Sequence, residues 1–292
     1  MFLSKASEII EVCNRENISI AEYTIREEME SSESSRKELI EMMRDNLKVM
    51  KSAAQEAMDK EVISISGLIG GDATKLRKYF EKKETLCGDF IVKAMARALS
   101  CSEVNAAMGR IVAAPTAGSC GIIPAAIITA GEKLNKTDDE MITALFTASG
   151  VGILIAKNAT LAGAEGGCQA ECGSAAAMAA AAVVEMMGGT PKMAFDAGAM
   201  VIKNVEGLVC DPIAGLVEIP CAKRNVAGAV SALTMADVAM AGVESKIPFD
   251  DTVMSMYKIG KRLPSELRET ALGGLAVTPC GQKLKEKVYS KK

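Results

Sequence analysis

Four of the nine cysteines lie in short stretches rich in glycine, proline and other small residues, and they have the clearest chemical potential in this chain: Cys168, Cys210, Cys221 and Cys280. Cysteines that serve only for packing usually lie inside periodic apolar segments, whereas these lie at predicted helix ends and in turns. A thiolate at such a position is free to point into a shared space. The pattern therefore predicts a metal or iron–sulfur centre assembled from distant parts of the chain.

The spacing alone leaves a metal centre and ordinary packing both open. Cys168 and Cys172 would share one face of a helix, but such a pair also arises by chance. The sequence has no closely spaced ferredoxin run and no paired Cys-x-x-Cys zinc knuckle. Cys120 lies in a loop that could matter without its sulfur. Packing is the interpretation for the cysteines in or beside helical segments: Cys13, Cys87 and Cys101.

The elements that must position these cysteines are predicted to be helices. Glycines and prolines separate long apolar segments, and the run from Ser174 to Met187, nearly all Ala, Val and Met, ends at a Gly-Gly pair as a helix should. Val62–Ile65 is the only short strand candidate. The fold class is therefore all-α, a large helical catalytic domain with its functional residues on glycine- and proline-rich loops between helices.

The first 60 residues differ in composition from the rest of the chain. Ser35 and Glu38 form a predicted capping box, and a stripe of apolar residues follows at helical spacing: Leu39, Met43, Leu47, Met50 and Ala54. Residues 1–60 are thus predicted to be amphipathic helices that pack on the main domain, and residues 61–292 to be that domain.

Composition disfavours several classes of protein. A net charge of −3 and a pI near 5.4, without a basic stripe, argue against a nucleic-acid partner. Nine irregularly spaced cysteines and no secretory signal indicate a reducing cytoplasm rather than a disulfide framework. The apolar runs at 111–131 and 141–156 contain helix breakers or are too short, so we expect no membrane span. Histidine is absent, so imidazole cannot serve as base or ligand.

Six segments resemble the α chain, or catalytic domain, of bacterial iron–sulfur L-serine dehydratases, and they occur in the order found in that family: Ser66–Asp72, Ala114–Pro124, Gly166–Glu171, Cys210–Gly215, Cys221–Asn225 and Thr270–Ala276. The resemblance implies a mostly helical domain that holds a [4Fe–4S] cluster through Cys168, Cys210 and Cys221. It makes Cys280 a further candidate, for the fourth iron, and Cys172 a packing residue.

The resemblance also implies where the substrate and the supporting residues lie. The loop from Ser66 to Asp72 is expected to hold the L-serine carboxylate with backbone amides and Ser66, and the ammonium group with Asp72. The remaining substrate candidates are Gly67, Gly70, Gly71, Thr116, Gly118 and Ser119. Arg224 and Asn225 are expected to support the cluster as hydrogen-bond donors.

Single-chain members of that family carry an additional N-terminal β domain, to which nothing in this sequence corresponds. We therefore expect a separate β subunit, a hetero-oligomer, and a general base that the partner chain can supply. The expected reaction is dehydration of L-serine to pyruvate and ammonia, with one open iron acting as a Lewis acid. The alternatives are a related L-cysteine desulfidase, an iron–sulfur redox protein, and a helical scaffold without a metal centre.

Overall fold

The computed structural model describes residues 2–290. Within them the chain forms thirteen α-helices and no strand, so the all-α prediction is confirmed. The helices are α1 (Ala6–Glu16), α2 (Ile20–Ser32), α3 (Arg36–Asp59), α4 (Asp72–Lys82), α5 (Gly88–Ala106), α6 (Ile122–Lys133), α7 (Asp138–Asn158), α8 (Gly163–Gly166), α9 (Ser174–Met186), α10 (Pro191–Val205), α11 (Cys221–Met240), α12 (Phe249–Arg262) and α13 (Pro279–Tyr289). The strand predicted at 62–65 is reduced to one bridge between Ile63 and Gly70.

Helix α9 forms the centre of the molecule. It is buried along almost its whole length and is surrounded by α6, α7, α10 and α11. Alanine occupies most of its positions, so neighbouring backbones approach closely without leaving voids. A rigid central helix fixes whatever precedes it, and what precedes it is the segment of Cys168.

The N-terminal helices pack on this centre as amphipathic elements. The predicted capping box of Ser35 and Glu38 is present at the start of α3. Helix α3 lies against α5 and α7, and α2 lies against α7. On α9, Glu185 accepts hydrogen bonds from the amides of Ile20 and Ala21, which caps α2. The division of the chain near residue 60 into two parts stays a prediction.

Helix α7 is long and apolar enough to span a membrane by length and composition. Most of its apolar stretch is buried inside the protein, against α2, α3 and α9. A buried core helix passes the same test, so this feature is weak evidence for a membrane span.

Candidate metal and substrate site

Cys168 lies directly before the central helix. A π-helical turn, Gln169–Gly173, connects it to α9. The buried Gln169 side chain fixes this turn, since its amide donates to the Met256 carbonyl at 3.0 Å and its oxygen accepts from the Gly207 amide at 2.9 Å. Cys168 is thereby held near the N-terminal end of a buried helix, where the helix dipole favours negative charge.

Cys210 and Cys221 lie at the two ends of the loop that leads into α11. The Cys210 amide donates to the Leu267 carbonyl at 2.8 Å, and the Cys210 carbonyl accepts from the Glu269 amide at 2.7 Å. Cys221 is the first residue of α11, so its sulfur also lies at a helix N-terminus. Both side chains are buried, as is that of Cys168.

Arg224 connects the three cysteine segments. It lies one helical turn after Cys221, and its guanidinium donates to the Val209 carbonyl at 2.7 Å and to Asp211 Oδ1 at 2.8 Å, on either side of Cys210. The positive charge of the guanidinium also lowers the pKa of Cys168, after the larger effect of Cys172. One cation therefore bonds on both sides of Cys210 and lies close enough to Cys168 to influence its charge.

Without a metal, burial keeps two of these three thiols neutral. Burial, together with the negative charges of Cys168 and Glu171, raises the pKa of Cys221 to about 12, and burial raises the pKa of Cys210 strongly. Hydrogen bonding with Cys172, followed by the charge of Arg224, lowers the pKa of Cys168. A coordinating metal deprotonates such thiols outright, and a set of soft thiolates selects iron–sulfur clusters or other soft metals.

Within residues 2–290, no three His, Cys, Asp or Glu side chains are arranged to hold a single metal ion. A single zinc ion requires sulfurs about 2.3 Å from one point. A four-iron cluster is larger, and each thiolate binds a different iron, so its ligands stand farther apart. As a donor set, the three buried cysteines supply the soft thiolates that such a cluster uses.

The remaining cysteines differ in their surroundings. The sulfur of Cys172 lies 3.3 Å from that of Cys168, so this packing residue contacts a predicted ligand. Cys280 is exposed in the first turn of α13, outside the buried group. Cys13, Cys101 and Cys120 are buried, but Cys87 is exposed, so the interpretation of Cys87 as a packing residue is wrong. Cys87 directly precedes α5, and this end of the helix is exposed rather than part of the core.

Asn225 joins the loop of Thr116 to Ser119 to the cysteines. Its side chain donates to the carbonyls of Gly118 at 2.7 Å and Cys221 at 2.9 Å. Burial raises the pKa of Glu171 and the nearby Thr116 hydroxyl opposes the rise. The same carboxylate lies 3.9 Å from the sulfur of Cys210. The structure thus places Thr116, Gly118 and Asn225 beside the predicted ligands.

The loop from Ser66 to Asp72 has its polar groups largely engaged. The amide of Leu68 donates to Ser66 Oγ, and the amide of Gly71 donates to the Val62 carbonyl. Asp72 pairs with Lys223 of α11 and with Lys75. The Ser66 hydroxyl is engaged as well, since it donates to Glu218 at 2.7 Å. A substrate carboxylate would therefore have to displace existing hydrogen bonds to bind this loop.

Glu103 anchors the end of that loop and was not found from the sequence. Its carboxylate accepts from the amide of Asp72 at 2.6 Å and from that of Ala73 at 3.3 Å, capping α4. Burial raises the pKa of Glu103 to about 6. The folded chain therefore binds more protons than the unfolded chain between roughly pH 4.5 and 6, and Glu103 lowers stability as the pH rises through this range.

We predict that the stability of the native chain relative to Glu103→Gln falls by about 1 kcal/mol between pH 5 and pH 7. Urea unfolding of both proteins at each pH measures this difference, and effects shared by the two chains cancel. A difference that is constant or increases with pH would contradict the assigned pKa direction.

Gly260 of α12 lies directly against Gly166, in the segment that precedes Cys168. The absence of a side chain at Gly260 allows this close approach. A Cβ atom at this position would lie 2.7 Å from Gly166 Cα and 2.9 Å from the Gly166 carbonyl oxygen. We predict that Gly260→Ala costs about 1–3 kcal/mol by overpacking and also weakens iron retention, because the backbone before Cys168 must move.

The matched control is Gly242→Ala, where a Cβ atom meets nothing within 4 Å and only the backbone φ of 87° is unfavourable. Unfolding curves and the iron content after gel filtration measure both effects. Equal iron retention in the two variants would contradict the assigned role of Gly260.

The comparisons with known proteins agree on one family. Residues 15–276 match the family model described as "Serine dehydratase alpha chain". The chain is 49% identical over 282 residues to "Probable L-serine dehydratase, alpha chain" of Bacillus subtilis (strain 168), covering 97% of this chain and 94% of that protein. It is 48% identical to "L-serine dehydratase, alpha chain" of Peptoniphilus asaccharolyticus, covering 97% of each. "L-serine dehydratase 1" of Escherichia coli (strain K12) is 33% identical over 93% of this chain and 61% of its own length.

Proposed function

Because the chain belongs to the serine dehydratase alpha chain family, we propose that it holds a [4Fe–4S] cluster through Cys168, Cys210 and Cys221 as the catalytic chain of a two-chain enzyme. Its activity is that of an L-serine dehydratase, a lyase that forms pyruvate and ammonia from L-serine. The observation that supports the cluster proposal is the position of Arg224, since this residue one turn after Cys221 bonds on both sides of Cys210 and its charge lowers the pKa of Cys168.

The reaction removes the α-proton and the β-hydroxyl of L-serine, and hydroxide is a poor leaving group. When bound, the cluster would supply a Lewis-acidic iron that lacks a fourth protein ligand. The aminoacrylate released by dehydration rearranges and takes up water to give pyruvate and ammonia.

The chain's own residues would hold the ligands and orient the substrate. Arg224 balances the negative charge of the thiolates and, through Asp211, fixes the Cys210 loop, because Asp211 also accepts from the Leu275 amide at 2.8 Å. Asn225 fixes the Thr116 loop against Cys221. Ser66 and Thr116 are the hydroxyl groups that we assign to orienting L-serine.

We propose a separate β subunit as the partner and the cytoplasm as the compartment. Two relatives matched nearly end to end are named alpha chains, whereas the Escherichia coli relative is longer. The irregular spacing of the nine cysteines, which does not resemble a disulfide framework, supports a reducing compartment.

To test the proposal, the two-chain enzyme is purified anaerobically. Pyruvate formation is then measured with L-serine and with L-cysteine as substrates. Pyruvate from L-serine, together with iron and labile sulfide in the protein, supports it. Preferential sulfide release from L-cysteine would favour a desulfidase instead.

A further inference from the structure

A cavity of about 700 Å³ opens between the loop of Ser66, the end of α5 and the end of α13. Most of its wall is apolar, contributed by residues such as Ile65, Met108 and Val217. Such a volume suits a small molecule, and a few polar groups in an apolar wall fix the orientation of a ligand. Three of its polar side chains are those of Ser66, Asn105 and Glu218.

Glu218 is an unusual member of this wall. Only 5% of the residue is exposed, so Glu218 is almost completely buried. Its carboxylate accepts a hydrogen bond from Ser66 Oγ at 2.7 Å, and no Lys or Arg within residues 2–290 forms an ion pair with it. A buried carboxylate without a cation is costly, so a positive ligand group entering the cavity would be strongly favoured.

Asp72, the carboxylate predicted from the sequence to meet the ammonium group, is in a different electrostatic state. One oxygen pairs with Lys75 at 3.0 Å and the other with Lys223. Its charge is therefore balanced within the protein. Glu218 lies at the same loop through Ser66 and has no such cation partner within residues 2–290.

We infer that Glu218 binds the α-ammonium group of the substrate in this cavity and makes the site selective for amino acids over hydroxy acids. The inference rests on the proposed function and identifies a substrate-binding residue for it. The ammonium group has three donors, and the Glu218 carboxylate keeps accepting capacity beyond its bond with Ser66. Ser66 holds the carboxylate in place, so the two residues act as a pair.

The probes for this inference are L-alanine and L-lactate, which differ only in an ammonium group against a hydroxyl at the α-carbon. Neither carries the β-hydroxyl, so neither is dehydrated, and binding is measured by calorimetry on the holoenzyme without turnover. The native enzyme is expected to bind L-alanine about 10–100-fold more tightly than L-lactate. Glu218→Gln is expected to reduce that ratio by about tenfold or more.

Three further variants make the result specific. Glu218→Asp keeps the charge and is expected to restore part of the preference. Glu11→Gln, an exposed carboxamide substitution on α1, is expected to keep all of it. Asp72→Asn is measured in parallel, and a loss of preference there with retention in Glu218→Gln overturns the inference.

The inference and the proposed function fail in distinguishable ways. A native enzyme that forms pyruvate from L-serine but binds L-lactate as tightly as L-alanine overturns the role of Glu218, even if Glu218→Gln does not fold. A native holoenzyme that forms no pyruvate although its β chain is present overturns the proposed function. Iron content and circular dichroism of each variant establish that a lost preference comes from the substituted side chain.

Discussion

Replacing Cys168, Cys210 or Cys221 by alanine is expected to remove bound iron, labile sulfide and dehydratase activity together, with activity falling roughly 1,000-fold or more. Each replacement deletes one of the three proposed ligands, and no neighbouring histidine can replace it, since the chain has none. It also leaves Arg224 beside a partial set of thiolates. Iron and sulfide assays on anaerobically purified variants, with pyruvate formation from L-serine, measure the effect.

Two other cysteines provide matched controls for these replacements. Cys13 is buried in α1 and Cys87 is exposed at the start of α5, and neither contacts the site. Cys13→Ala is expected to cost some stability and Cys87→Ala almost none, and both variants should keep iron and activity. If Cys87→Ala lost as much iron as Cys168→Ala, the assignment of the ligands would be wrong.

The isolated chain is expected to have little activity, and addition of its β chain is expected to raise the rate by roughly 100-fold or more. The physical reason is the absence of histidine, because no imidazole of this chain can serve as a general base near neutral pH. A positioned base typically contributes a factor of this size.

Co-expression with a candidate β chain, compared with the α chain alone at equal iron content, measures this dependence. An unrelated protein at the same concentration controls for simple stabilisation in solution. Full turnover by the α chain alone would contradict the prediction and would place the base within residues of this chain.

Much of the fold followed from local patterns. The alanine-rich run beginning at Ser174 forms a helix that ends beside the predicted Gly-Gly pair, and the capping box of Ser35 is present. The short alternating segment at 62–65 failed as a strand because only one bridge, to Gly70, pairs with it. Periodicity and capping are properties of neighbouring residues, so they can be read from a sequence.

The site was only partly predictable, because it depends on contacts between residues that are far apart in the sequence. The motifs located the three cysteines and Arg224, but not the carboxylates that surround the site. Glu218 lies two residues before Pro220 and Glu103 lies inside an apolar helix, so neither has a distinctive local pattern. Glu103 contacts the Asp72 amide, about 30 residues away along the chain. Glu218 contacts Ser66, about 150 residues away.

The most direct test of the central claim is the iron and labile sulfide content of the anaerobically purified chain, measured beside pyruvate formation in the presence of its partner. About four iron and four sulfide ions per chain, lost together with activity on exposure to a chelator and oxidant, are the predicted result. A preparation that dehydrates L-serine at full rate without iron would contradict the account, because the three buried cysteines would then serve no cluster.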